Sequence, residues 1–261
     1  MGWGLLSVFW LSAVEAAAST MDLGRWEIPL RYSAAVSTFG PIMAILGAKR
    51  PQDRGWQIIV FSLWILLQVP CAQWLLFRTG PALQLFPAWI WFLTLLIAIS
   101  SLNYLPTRYG WASVLFTVGQ LVLLSDHLPI SATRFAWSPL VGMASITLSA
   151  MVILVQSKLC RGKRLPSPDR VWLDFRDSYG LLWALRLAAR VNATAAMRGW
   201  DMRLRWRGLV ARQGGEIMDD ETAVGVLKNM RTLLRRFVSN EWMEKRERGD
   251  VDDDQHSGEK L

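Results

Sequence analysis

The side chains with the most chemical capacity in this chain are arginines and aromatic rings at helical spacing. Trp172, Arg176, Tyr179, Trp183, Arg186 and Arg190 share one side of a helix when read at three- and four-residue intervals. Indole, phenol and guanidinium groups in this arrangement stack, donate hydrogen bonds and meet carboxylate or phosphate. A second group follows in Met202-Arg203-Leu204-Arg205-Trp206-Arg207. Its strict alternation reads as a short strand with Arg203, Arg205 and Arg207 on one face. Both groups are candidate surfaces for a protein partner or for anionic lipid headgroups; the alternative for the first is that its aromatic rings close the small core of the segment that carries them.

Catalytic chemistry finds little to work with. The sequence holds no Gly-rich phosphate loop, no metal-ligand cluster and no nucleophile–base pair, so no catalytic, metal or cofactor-binding residue is assigned and no cofactor is expected. Asp174, Asp177, Asp219 and Asp220 have no His or Cys beside them and read as solvated helix charge. His127, in Ser125-Asp126-His127, is the sole candidate axial ligand for a haem, because the other histidine, His256, lies in a polar terminus. Cys71 and Cys160 are too differently placed to pair, and Cys160 sits where acylation occurs beside membranes. Gln68, Asn103 and Gln120 are strongly polar groups inside apolar runs. They form a candidate intramembrane polar cluster, or hydrogen bonds between helices.

The elements that must position these groups divide the chain in two. Of 29 Lys and Arg, 21 lie from Lys158 onward, so an apolar block precedes a basic one. Within the apolar block, Trp56–Phe77 is an uncharged run of 22 residues. As a helix it measures about 33 Å, enough for a hydrocarbon core of about 30 Å. Similar runs predict transmembrane helices at about 31–48, 56–77, 83–105, 109–127 and 135–157, with a further segment at 3–18. Segment 3–18 has two readings, a retained helix or a cleaved signal peptide ending in Ala16-Ala17-Ala18. Gly40-Pro41 and Pro70 predict kinks. Lys158, Arg161, Lys163 and Arg164 follow the last run directly, which places the basic block on the cytoplasmic side.

The basic block, 158–243, reads as a small helical tail. Ser167, Pro168 and Asp169 suit a helix start, and the helix continues to about Arg198. Val171, Phe175, Ser178, Leu182, Leu185 and Ala189 form its expected packing stripe beside the arginine–aromatic one. Asn192-Ala193-Thr194 matches a glycosylation sequon that a cytoplasmic location would leave unused. A second helix is expected from Asp219 through Trp242, with Ala223, Leu227, Met230, Leu234, Phe237 and Val238 on its apolar face. Residues 244–261 lack apolar content and read as disordered.

Two stretches, Asp174-Phe175-Arg176-Asp177-Ser178-Tyr179-Gly180-Leu181-Leu182-Trp183-Ala184-Leu185-Arg186 and Leu233-Leu234-Arg235-Arg236-Phe237-Val238-Ser239-Asn240-Glu241-Trp242, resemble the tails of uncharacterised multi-pass membrane proteins of planctomycete-type bacteria. The resemblance covers about a quarter of the chain. It implies a bacterial inner membrane and carries no activity or site. The sequence-based expectation is therefore an all-α polytopic membrane protein of five to six transmembrane helices, with a small α-rich cytoplasmic tail holding one short strand or hairpin. Its expected role is that of a non-enzymatic accessory, assembly or scaffold subunit. The tail would dock a protein partner, a second copy or anionic headgroups, and no nucleic acid. A small permease subunit is the alternative, and haem or quinone handling is the third reading.

Overall fold

A computed structural model of the chain describes residues 2–46, 54–77, 83, 85–128, 138–159, 167–211 and 220–248. The chain forms two compact units, Met1–Gly47 with Pro51–Lys158, and Ala48–Arg50 with Leu159–Leu261. The expectations for Cys160, Arg161, Lys163, Arg164, Asp219 and His256 fall outside the described residues.

The first unit carries α1 (Gly2–Thr20), a 3-10 turn (Gly24–Trp26), α2 (Glu27–Ser37), α3 (Gly40–Leu46), α4 (Arg54–Leu67), α5 (Val69–Phe77), α6 (Pro87–Tyr104), α7 (Gly110–Leu123) and α8 (Ser138–Leu159). Two prolines set its breaks. Pro41 has no N–H to offer the Ser37 carbonyl, and α2 ends there. The freed carbonyl accepts a hydrogen bond from the Ser7 hydroxyl of α1 at 2.6 Å. Pro70 likewise has no N–H for the Leu66 carbonyl, and α4 and α5 meet at a bend of 48°. Tyr32, Ala34 and Val36 of α2 have no measurable exposure, so this short helix runs through the unit's core. Arg31 ties it to α1 through Glu15 at 3.1 Å and also pairs with Glu27 one turn earlier in α2 at 2.6 Å.

These observations correct the five to six transmembrane helices expected above. Among the described residues, two helices are long and apolar enough to cross a membrane, Pro87–Tyr104 and Pro139–Leu159. The bent pair α4–α5 makes a third if it counts as one span. The remaining apolar runs fail for structural reasons. Run 31–48 is split into helices of 11 and 7 residues. Helix α7 has 14 residues, or about 21 Å, against a core of about 30 Å. Helix α1 is an unbroken helix of 19 residues that carries the charged Glu15, engaged with Arg31. The chain is thus mostly helical, with two, at most three, candidate spans among the described residues. The multi-pass description and the bacterial inner-membrane placement with a cytoplasmic tail lose their basis. So do the roles built on them: accessory or scaffold subunit, permease, and haem or quinone handling. His127 packs edge-on against Tyr32, with ring centroids 5.2 Å apart.

The second unit carries α9 (Ser167–Arg198), β1 (Met202–Arg205), β2 (Gly208–Ala211), α10 (Asp220–Leu234) and α11 (Asn240–Arg248). The expected second helix is therefore two helices, parted by a turn at Arg235–Phe237, and α11 runs on into the charged terminus. Its core joins Val171, Trp172, Phe175, Leu187 and Val191 of α9 to Met202 and Leu204 of β1 and Val226, Met230 and Leu234 of α10.

Helix α9 is not continuous. Gly180 interrupts it at φ 77° and ψ −173°, a region essentially closed to residues with a Cβ. A straight helix would hold Asp169 and Asn192 about 35 Å apart at 1.5 Å per residue. Yet Asp169 bonds to Leu209 and Asn192 bonds to Leu204, which face each other across the hairpin. Facing residues lie only about 5 Å apart, so the chain folds back at Gly180. The break also resets the helical phase. Beyond it the buried positions are Ala184, Leu187, Val191 and Ala195. Leu182, Leu185 and Ala189, the continuation of the expected packing stripe, are exposed instead.

Replacement of Gly180 by Ala should destabilise the chain by about 1–3 kcal/mol, the usual cost of holding a Cβ in such a region. Denaturant unfolding of the full chain checks this, and an unchanged midpoint would show that the break does not need glycine.

Candidate functional site

The hairpin β1–β2 is a short antiparallel pair with a two-residue turn, Trp206-Arg207, and Arg205 opposite Gly208. A pair this small is marginal by itself, and each strand presents an unpaired edge. Side chains of α9 supply the missing partners. On the β1 edge, Asn192 donates from Nδ2 to the Leu204 carbonyl at 3.0 Å and accepts from the Leu204 N–H at 2.7 Å. On the β2 edge, Asp169 Oδ1 accepts from the Leu209 N–H at 2.7 Å. At the turn, the Trp206 carbonyl accepts from Trp172 Nε1 at 3.3 Å and from Arg176 Nη1 at 2.8 Å. Gly208 is required here, with φ 136° and space so tight that a Cβ would come within 2.7 Å of the Asp169 carboxylate.

Held this way, β1 and α9 enclose a cleft of about 430 Å³. Its lining is Trp172, Leu185, Ala188, Ala189 and Asn192 from α9, and Arg203, Leu204, Arg205 and Trp206 from the hairpin. Alternation along β1 points Met202 and Leu204 into the core and leaves Arg203 and Arg205 exposed. Ala188 and Ala189 leave room opposite them. Among the described residues neither arginine forms an ion pair, whereas Arg176 is held by Asp177 at 2.8 Å and Arg246 by Asp174 at 2.7 Å. The cleft thus combines an apolar floor with two guanidinium groups that carry no counter-charge among the described residues. Among the described residues no lining side chain is a nucleophile or a general base, so the arrangement is suited to recognition.

The residues singled out from sequence divide into three places. Trp172, Arg176, Arg203 and Arg205 are brought together around the cleft and the hairpin turn. Arg207 occupies the turn and does not line the cleft. Tyr179 and Trp183 lie at the elbow of α9, where Phe237 packs edge-on against them at 5.4 and 5.1 Å. There the Tyr179 hydroxyl donates to the Phe237 carbonyl at 2.7 Å. Arg186 stacks over Trp183 at 5.1 Å, and Arg190 is exposed on α9. The ladder is therefore not one continuous exposed surface, and the expected docking on anionic headgroups loses its basis. Trp172 is 1% exposed and Tyr179 7%, and Arg176 is spent on the turn carbonyl and Asp177.

Gln68, Asn103 and Gln120 do not share a hydrogen bond. Gln68 donates to the Ser33 carbonyl at 3.3 Å and Gln120 to the Thr38 hydroxyl at 3.1 Å, so both serve the α2–α3 region. Asn103 is buried near the end of α6. Other cleft residues carried sequence signals of a different meaning. Asn192 belongs to a sequon and Asp169 to a helix start, yet both clamp the hairpin. Leu185 and Ala189 belonged to the expected packing stripe and line the cleft instead, and Ala188 carries no signal beyond helical composition.

Comparison with known proteins finds no family model that matches the chain, no similar curated protein and no similar solved structure.

Two outcomes test the clamp. Asn192→Ala strips the Leu204 N–H and carbonyl of their partner and should cost about 1–3 kcal/mol in denaturant unfolding. A cost near zero would mean that water replaces the amide freely. Burial raises the Asp169 carboxyl above its ordinary value, and the Leu209 N–H offsets part of that rise. The folded chain therefore holds this proton more tightly than the unfolded one. The stability Asp169 contributes falls as pH climbs from the ordinary carboxylate range through the raised value, and is level beyond it. Asp169→Asn keeps an acceptor for Leu209 and should flatten that part of the pH–stability profile. An unchanged slope in this variant would assign the dependence to another group.

Proposed function

We propose that the second unit is a binding module for a small organic anion, held in the cleft between α9 and β1. The observation that carries this reading is the pairing of an apolar concavity with Arg203 and Arg205, which lack counter-charge among the described residues. Small-molecule sites are concave, mostly apolar and of about 300–1,000 Å³, with a few placed polar groups that fix orientation. The cleft has that size and that composition. Its polar groups are cationic, so the ligand they fit is anionic. The clamps on Leu204, Trp206 and Leu209 add rigidity, which lowers the ordering cost of binding.

The test is hydrogen exchange of the full chain with and without members of a panel of small aryl and alkyl anions. A cleft ligand slows exchange in residues 185–192 and 203–206. Ala189→Trp fills the cleft from an exposed helix position and should abolish that protection while leaving the free protein's exchange elsewhere unchanged. Protection confined to other segments, or protection that survives the Trp substitution, removes the reading.

A further inference from the structure

The cleft's two arginines and its one half-buried ring narrow the ligand further. On the reading that the cleft binds an organic anion, we infer that it recognises a phosphate monoester carrying a flat aromatic group, of mononucleotide size. Arg203 and Arg205 hold the phosphate and Trp206 supports the ring.

Charge argues for phosphate over carboxylate. Arg203 and Arg205 stand two residues apart on one face of β1, so their stems rise about 7 Å from one another. Guanidinium groups at that spacing can converge on a single ligand group. One carboxylate satisfies the fork of one arginine, whereas a phosphate monoester carries nearly two negative charges and three free oxygens. No carboxylate among the described lining residues opposes a dianion. Leu204, which separates the two arginines, is pinned by Asn192 through both of its backbone groups. The two stems are therefore positioned before the ligand arrives, as tight recognition needs.

The remaining surface argues for a flat ring. Trp206 lines the cleft, and its plane is set by the Arg176 guanidinium at 5.0 Å from the ring centroid. A fixed indole offers a stacking surface. Leu185, Ala188 and Ala189 complete an apolar wall. The Asn192 amide oxygen and nitrogen are already engaged with Leu204. Each is engaged by one bond, and the indole and the apolar wall supply the larger part of the surface facing a ring, so the site selects flatness plus phosphate.

Isothermal titration calorimetry on the full chain tests this with phenyl phosphate, adenosine 5′-monophosphate, benzoate, adenosine and inorganic phosphate. Phenyl phosphate and adenosine 5′-monophosphate should both bind, since each brings a flat ring and a phosphate monoester. Benzoate and inorganic phosphate should each be weaker than phenyl phosphate by about tenfold or more, having lost a charge-assisted contact or the ring. Arg203→Gln and Arg205→Gln should each weaken phenyl phosphate by about tenfold. Arg207→Gln, outside the cleft, should change it by no more than about twofold. Benzoate binding as tightly as phenyl phosphate, or indifference to both arginine substitutions, overturns the phosphate assignment. Inorganic phosphate binding as well as phenyl phosphate overturns the ring. In either case the cleft reading survives if Ala189→Trp still abolishes binding. Failure of every aromatic anion to distinguish wild type from Ala189→Trp sinks the cleft reading itself.

Discussion

The conformation of a single glycine governs the second unit. Gly180 takes an extended, positive-φ geometry in the middle of a strong helical sequence, and from that point the two halves of α9 approach the same hairpin. The N-terminal half reaches the β2 edge and the turn through Asp169, Trp172 and Arg176. The C-terminal half reaches the β1 edge through Asn192. Phe237 fills the elbow against Phe175, Tyr179 and Trp183. An unbroken α9 would carry one of the two edge clamps out of reach, and a hairpin of four-residue strands has too little of its own to persist.

The first unit shows why apolarity alone misleads. Uncharged runs of similar length fall into different roles once proline and buried hydrogen bonds are counted. Run 31–48 holds a deeply buried helix, yet it breaks at Thr38–Phe39 because Pro41 cannot continue the ladder. Ser7 occupies the exposed carbonyl, while Trp64 and Gln68 bond to the Ser37 hydroxyl and the Ser33 carbonyl. These polar side chains, scattered through apolar sequence, stabilise the break. Helices α6 and α8 keep the length and apolar surface of a span, with Trp91, Leu95, Met151 and Leu154 exposed. Hydropathy counts a run's composition and is blind to where its backbone bonds go.

The cleft follows from the same accounting. Strand alternation sends Leu204 inward and Arg203 and Arg205 outward, while the phase shift at Gly180 turns Leu185 and Ala189 out of the core toward that strand. The aromatic–arginine ladder read along a continuous helix dissolves in this geometry. Trp172 and Arg176 brace the hairpin, Tyr179 and Trp183 brace the elbow, and Arg186 and Arg190 remain on the surface. A charged pattern that looks like one surface is divided among three structural duties.

By itself the sequence determined the division into an apolar and a basic block, the positions of most helices, the β1 strand and the breaks at Pro41 and Pro70. Those features arise from composition, period and the missing proline N–H, all of them local. It also marked Arg203 and Arg205 as sharing a face, since alternation in a strand is local too. Only the tertiary structure decided that Gly180 reverses the chain while Gly119, Gly142 and Gly225 stay helical. Every glycine can reach that conformation, and packing around Phe237 and the hairpin selects the one that does. The roles of Asp169 and Asn192 are non-local for the same reason. Their partners lie 40 and 12 residues away, and a hydrogen bond at such a distance leaves no periodic trace in the chain.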